Sequence, residues 1–206
     1  MIPWPRWRLG RCRCTNPKGI VNKKVSPGCV KSARVYTGKI VSLDVDTVRF
    51  PDGSTGELEM IRHPGASAVV PFLSDPRGDD PQVLMIRQYR YAADGYLYEI
   101  PAGRLDPGEN ARDCAARELK EETGCTAEQL DYLLTMYTTP GFTDEKIHLF
   151  MATGLTTGET KHEADEFLDL HPMLLSKALE MVQAGDIQDG KTALGLLFAA
   201  GFRGSR

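Results

Sequence analysis

Residues 103–125, Gly-Arg-Leu-Asp-Pro-Gly-Glu-Asn-Ala-Arg-Asp-Cys-Ala-Ala-Arg-Glu-Leu-Lys-Glu-Glu-Thr-Gly-Cys, constrain this chain more than any other stretch. They encode one short helix with both ends marked. Asn110 is an N-cap residue with Asp113 three positions on, as in a capping box, and Gly124 suits the left-handed turn that ends a helix. Ala111, Ala115 and Leu119 recur every four residues and give a narrow stripe to bury. Glu118 and Glu122 are also four apart, so their carboxylates project from one face a turn apart. Arg117 and Glu121 share the adjacent face and can pair. Two stacked carboxylates form a hard-oxygen site suited to Mg²⁺ or Mn²⁺. Gly103 permits close backbone approach just before the helix, which makes the Ala102 carbonyl a further candidate ligand. The bland alternative is a solvated charged helix, the usual meaning of a Glu/Lys/Arg face.

The flanking chain is mostly β. Residues 35–45, 47–50 and 55–62 alternate apolar and polar positions, with Pro51-Asp52-Gly53-Ser54 as a turn. They form a small antiparallel module. Strands are expected over 66–73, 82–89, 96–100, 132–138, 146–152 and 167–171, and two closing helices over 173–184 and 192–202. Strands flanked by helices without regular alternation imply an α/β (α+β) sandwich around a mixed sheet. The organisation reads as a basic arm over 1–33, poorly ordered by composition, a β-module over 34–62 and a main domain over 63–206.

Composition narrows the class. The chain has 206 residues, 41% hydrophobic and 26% charged, within the range of ordinary globular proteins. No apolar run approaches the ~20 residues of a membrane span. The N-terminus lacks an apolar core and makes a poor secretory signal. Five cysteines, an odd number without framework spacing, favour a reducing, cytoplasmic setting. The net charge of −3 hides a split. No acidic residue precedes Asp44, yet ten basic ones do, and the remainder holds 28 acidic against 15 basic residues. A nucleic-acid role is therefore confined to the arm, where Trp7 sits between Arg6 and Arg8 and Trp4 lies just ahead of them, and is not expected. Cys12, Cys14 and Cys29 lack the spacing of a zinc site.

The pattern Gly103-x5-Glu109-x7-Arg117-Glu118-Leu-x-Glu121-Glu122-x-Gly124-Cys125 resembles the Nudix box at every polar and glycine position. A chance match is on the order of 10⁻⁶ over the chain, which decides against the solvated helix. Cys125 departs from the usual aliphatic residue, but a buried Cys serves as a small hydrophobe. Glu99-Ile-Pro-Ala-Gly103 leads into the box, and Pro140 lies sixteen residues after Gly124. Together with Ile86-Arg87-Gln88-Tyr89 and an N-terminal β-module, these resemble the ADP-ribose pyrophosphatase branch of the Nudix hydrolases.

That resemblance implies a Nudix α/β/α sandwich and a Mg²⁺-dependent enzyme, or one using Mn²⁺, that cleaves ADP-ribose to AMP and ribose 5-phosphate. Glu118, Glu122 and the Ala102 carbonyl would bind two to three metal ions, with Glu121 completing or ordering the set. Arg117 would hold the glutamates, and Glu109 would act behind them or through metal-bound water. The general base is expected on the loop 162–169, with Glu166 preferred and Glu163 in reserve. Arg87 would meet phosphate, and Glu99 a ribose or adenine edge beside Gly103. A homodimer is implied, with exchanged β-modules whose Tyr36 or Phe50 would cover the adenine. His63 and His148 read as structural. The competing readings are a hydrolase of another nucleotide sugar, such as GDP-mannose, and a non-catalytic ADP-ribose-sensing regulator. Four intact box glutamates argue against the regulator.

Overall fold

The computed structural model describes residues 26–160 and 167–202. Trp4, Trp7, Cys12 and Cys14, as well as Glu163 and Glu166, lie outside the described residues.

The β-module is a three-stranded antiparallel sheet of β1 (Gly28–Thr37), β2 (Ser42–Arg49) and β3 (Thr55–Arg62), in that order. β1 takes in residues 28–33, which by composition alone belong to the arm. The single strand expected over 35–45 is instead two strands joined at a turn. Gly38 explains the break. Its N–H donates to the Val41 carbonyl at 2.9 Å, and a Cβ there would meet that oxygen at 2.9 Å and the Tyr36 ring at 2.8 Å. All ten residues of β1 are exposed.

The main domain is built around β4 (Ala66–Pro71), which is buried along its whole length. It pairs in parallel with β9 (Lys146–Thr156) and antiparallel with β7 (Ala102–Arg104). β8 (Thr126–Tyr137) completes the mixed sheet in the order β7-β4-β9-β8. A strand covered on both faces must be apolar at every position, and Ala66-Ser-Ala-Val-Val-Pro71 is nearly so. Ser67, the exception, donates its hydroxyl to the Ala111 carbonyl at 2.7 Å. A second antiparallel sheet holds β10 (Leu168–Leu174), β5 (Gln82–Arg90) and β6 (Gly95–Glu99) in the order β10-β5-β6.

Helices cover both sides. α1 (Ala111–Thr123) brings Ala115 and Leu119 against Val69, Leu130 and Phe150. α2 (Leu175–Ala184) and α3 (Gly190–Phe202) bring Leu175, Ala178, Leu196 and Ala199 against Ala68, Val70 and Leu149. Successive residues of β4 thus serve opposite layers, as a strand's alternation requires. Removing a fully buried leucine such as Leu119 costs about 2–5 kcal/mol, so each layer is firmly held.

The β-module joins the main domain through one loop. The N–H of Ile61 donates to the Phe142 carbonyl at 2.8 Å, and that of Asp144 to the Ile61 carbonyl at 3.2 Å. Arg62 bridges Asp44 and Asp46 within the module to Asp144 outside it.

Candidate active site

α1 begins and ends as its sequence requires. The Asn110 side chain accepts from the N–H groups of Arg112 and Asp113 at 3.0 Å, and Gly124 closes the helix at φ 71°. Gly124 is needed for a second reason. A Cβ there would lie 2.5 Å from the Gly158 carbonyl, where the chain enters the loop toward β10.

The helix aims its glutamates at the edge strand β7. Glu118 is buried so closely against Gly103 that a Cβ at residue 103 would collide with its carboxylate. Glu122, 2% exposed, accepts the N–H of Ala102 at 3.0 Å. Two carboxylates therefore converge on the backbone of 102–103. Arg117 sits among them. Its guanidinium donates to Glu118 at 2.6 Å, Glu121 at 3.0 Å, Glu109 at 2.9 and 3.0 Å, and the Arg104 carbonyl at 2.9 Å. The hydrogen bonds from Arg117 hold the Glu109 carboxyl down to about 2, and Glu109 in turn pushes the guanidinium pKa upward. Asp106 donates its N–H to Glu109 at 3.0 Å, so Glu109 is an anchor for Arg117 and faces away from open solvent.

Arg117, Glu118, Glu121, Glu122 and the backbone of 102–104 line a cleft of about 920 Å³. Its walls come from every part of the fold: Lys39 and Ile40 from the β1–β2 turn, His63, Gln88 and Arg90 on β5, Glu145, and Lys191 on α3. Glu145 lies 3.3 Å from His63 Nδ1 and accepts from the Thr138 hydroxyl at 2.9 Å.

A NUDIX domain model matches residues 63–191, more than half of the chain. The chain belongs to the Nudix family. A methanol dehydrogenase activator of Bacillus methanolicus is 39% identical over 171 residues, covering 82% of this chain and 90% of that one. An ADP-ribose pyrophosphatase of Bacillus subtilis (strain 168) is 35% identical over 178 residues, covering 85% and 94%. Among solved structures, an ADP compounds hydrolase superposes with a TM-score of 0.75 at 20% identity, over 89% of this chain and 97% of that one, a likeness of fold.

Several expected site residues of this Nudix chain sit elsewhere. Arg87 does not line the cleft; its guanidinium stacks on the Tyr96 ring, 4.6 Å from the centroid. Gln88 and Arg90 face the cleft instead, because alternate residues of a strand share a face and Arg87 has the wrong parity. Glu99 does not line the cleft either. It is 2% exposed and held by Arg90 at 2.7 and 2.9 Å and by Lys191. Burial alone would raise its pKa, but these two cations outweigh it and the net shift is downward. Tyr36 and Phe50 fold over Gly38 and Gly56 of their own hairpins and do not line the cleft of their own chain; the expectation for them concerns the cleft of a second copy. His63, read as structural, does line it, whereas His148 hydrogen-bonds Thr135 on the neighbouring strand.

Lys191 belongs to no local motif, so nothing in the sequence marks it as a cleft residue, whereas Glu145 falls in the stretch 139–146 that holds Pro140. The candidate bases Glu163 and Glu166 fall between the described segments. Gly158 touches Gly124, and the Phe167 carbonyl accepts the N–H of Tyr89, between Gln88 and Arg90.

Proposed function

We propose that this protein hydrolyses the pyrophosphate bond of ADP-ribose, giving AMP and ribose 5-phosphate, with a divalent cation such as Mg²⁺. The observation that carries the reading is the convergence of Glu118 and Glu122 on the backbone of 102–103, beside a cleft whose far walls carry cations. The 35% identity to an ADP-ribose pyrophosphatase over most of both chains supports the substrate.

The donor set fits hard divalent cations. Glu118, Glu122 and the Ala102 carbonyl would hold them, with Glu121 at the margin. Bound cations would neutralise phosphate oxygens and lower the pKa of the attacking water. The chain's own residues do the rest. Arg117 holds Glu109, Glu118 and Glu121 in place through its hydrogen bonds. Gly103 leaves room for Glu118. Arg90, aligned by Glu99, presents its guanidinium to the cleft where a phosphate would lie. Glu166, or Glu163, takes a proton from the water. Such chemistry depends mostly on positioning and charge neutralisation.

Ten exposed residues on β1, with Val30 and Val35 among them, support a homodimer formed through the β-module. A strand with neither face covered is an interaction surface. Free Cys29, Cys114 and Cys125 support a reducing, cytoplasmic setting, and no helix of the described residues is long and apolar enough to cross a membrane.

The test is a substrate panel with Mg²⁺ and with Mn²⁺, scoring AMP release from ADP-ribose beside GDP-mannose and other nucleotide sugars. ADP-ribose should give the highest kcat/KM. Glu122→Gln should lower turnover at least ~100-fold. Full activity in that variant would remove the metal assignment.

A further inference from the structure

The cations of the cleft divide by whether a carboxylate already holds them. Arg117 is held by Glu109, Glu118 and Glu121, Arg90 by Glu99, and Lys191 by Glu99 and Asp189. Lys39 and Arg104 have no ion pair with any of the described residues, and both line the cleft. Its acids at that end are engaged elsewhere: Glu145 with Thr138 and His63, and Asp106 toward Arg117 at 3.9 Å.

The position of Arg104 is fixed from two directions. Its carbonyl accepts from Arg117 Nη2 at 2.9 Å and from Cys114 Sγ at 3.4 Å, which ties its main chain to the helix that carries Glu118 and Glu122. The sheet register sets it opposite Ala66, and Ala66 opposite Ile147. All three line the cleft, so Arg104 ends an otherwise apolar row, on the face of β7 opposite the one that Gly103 turns to Glu118. Lys39 rims the same space from the turn closed by the Gly38 N–H to the Val41 carbonyl.

We propose that Arg104 and Lys39 form the diphosphate clamp of this site, binding the phosphate oxygens that face away from Glu118 and Glu122. This rests on the reading of the cleft as a pyrophosphatase site. A paired guanidinium such as that of Arg90 has part of its donor set occupied, whereas an unpaired one offers the whole fork to an incoming anion. Arg104 supplies a fork of donors and Lys39 a point charge, which suits a diphosphate that spans from one to the other. The clamp touches oxygens that carry charge both before and during reaction. It therefore contributes uniform binding, felt in KM rather than kcat.

The experiment is steady-state kinetics on full-length Arg104→Gln, Lys39→Gln, the double variant and Arg104→Lys, with Mg²⁺ and ADP-ribose. Calorimetric titration of each with magnesium pyrophosphate runs beside it. Each neutral variant should raise KM about tenfold with kcat within about twofold, the double variant should raise it further, and Arg104→Lys should recover part of the loss. The Kd for pyrophosphate should weaken in parallel. An unchanged KM and Kd, or a fall in kcat alone, would overturn the clamp. If the wild type fails to turn over ADP-ribose, the substrate assignment falls. The pyrophosphate Kd still decides the clamp, since it needs no turnover.

Discussion

Arg117 shows how one residue organises four others. It gathers Glu109, Glu118, Glu121 and the Arg104 carbonyl around one guanidinium, so a positive charge stands among the like charges of these glutamates. Glu109 is its anchor, and the folded-state pKa of about 2 lies below the ordinary 4.5. A depressed carboxylate contributes stability that is fully present above the unfolded pKa and is lost as pH falls through the folded one. That contribution should therefore fade between about 4.5 and about 2. Glu109→Gln should flatten the acid limb of an unfolding profile in that window and lower kcat by about tenfold through a loosened Arg117, readable by circular dichroism and by kinetics. Gly103 is a harsher case. A methyl group there meets the Glu118 carboxylate, so Gly103→Ala should abolish most activity, about 100-fold or more, with a far smaller change in melting temperature. The role of glycine at 103 is legible in the sequence itself, because its place just ahead of the helix implies close approach. The facing of Arg87 and Arg90 is not. Strand parity has to be anchored to the face that the core takes, and an apolar run buried on both sides gives no anchor.

Among elements, α1 is the easiest to read from sequence and β7 the hardest. α1 carries a cap, a buried stripe and a terminating glycine that all point to the same answer, which is the consistency that specifies a structure. Asn110→Ala should remove two accepted N–H bonds and cost about 1 kcal/mol, measured by urea denaturation, with the site chemistry intact. β7 is three residues long, so it holds too few positions to show any alternation, yet it supplies Ala102, Gly103 and Arg104. Its existence follows only from pairing with β4, a long-range contact that no local pattern carries. The β1–β2 turn is easily passed over because apolar residues resume at once at Ile40 and Val41; its local mark is Thr37-Gly38-Lys39, three positions without an apolar residue.

At the scale of the whole molecule, the charge split takes on a structural boundary. Three of the ten basic residues before Asp44 lie among the described residues: Lys31 and Arg34 on β1, and Lys39 in the turn after it. Arg34 pairs with Asp44 on the neighbouring strand. The basic N-terminal stretch is thus partly the β-module itself, and the truncation point matters. Deleting residues 1–25 should leave activity within about twofold, since no residue assigned to the site lies among them. Deleting 1–33 removes the first six residues of β1 and should lower activity sharply if the module assembles a dimer. Val35→Glu isolates that cause. Val35 is 62% exposed on an uncovered strand, so a charge there should leave the melting temperature of the single chain nearly unchanged. On a dimer interface the same charge loses its solvation and opposes association. Sedimentation should therefore show the wild type as a dimer and Val35→Glu shifted to monomer at micromolar concentration. A wild type that sediments as a monomer would remove the dimer and leave Lys39 and Ile40 of the chain's own turn as the whole contribution of the module to the cleft.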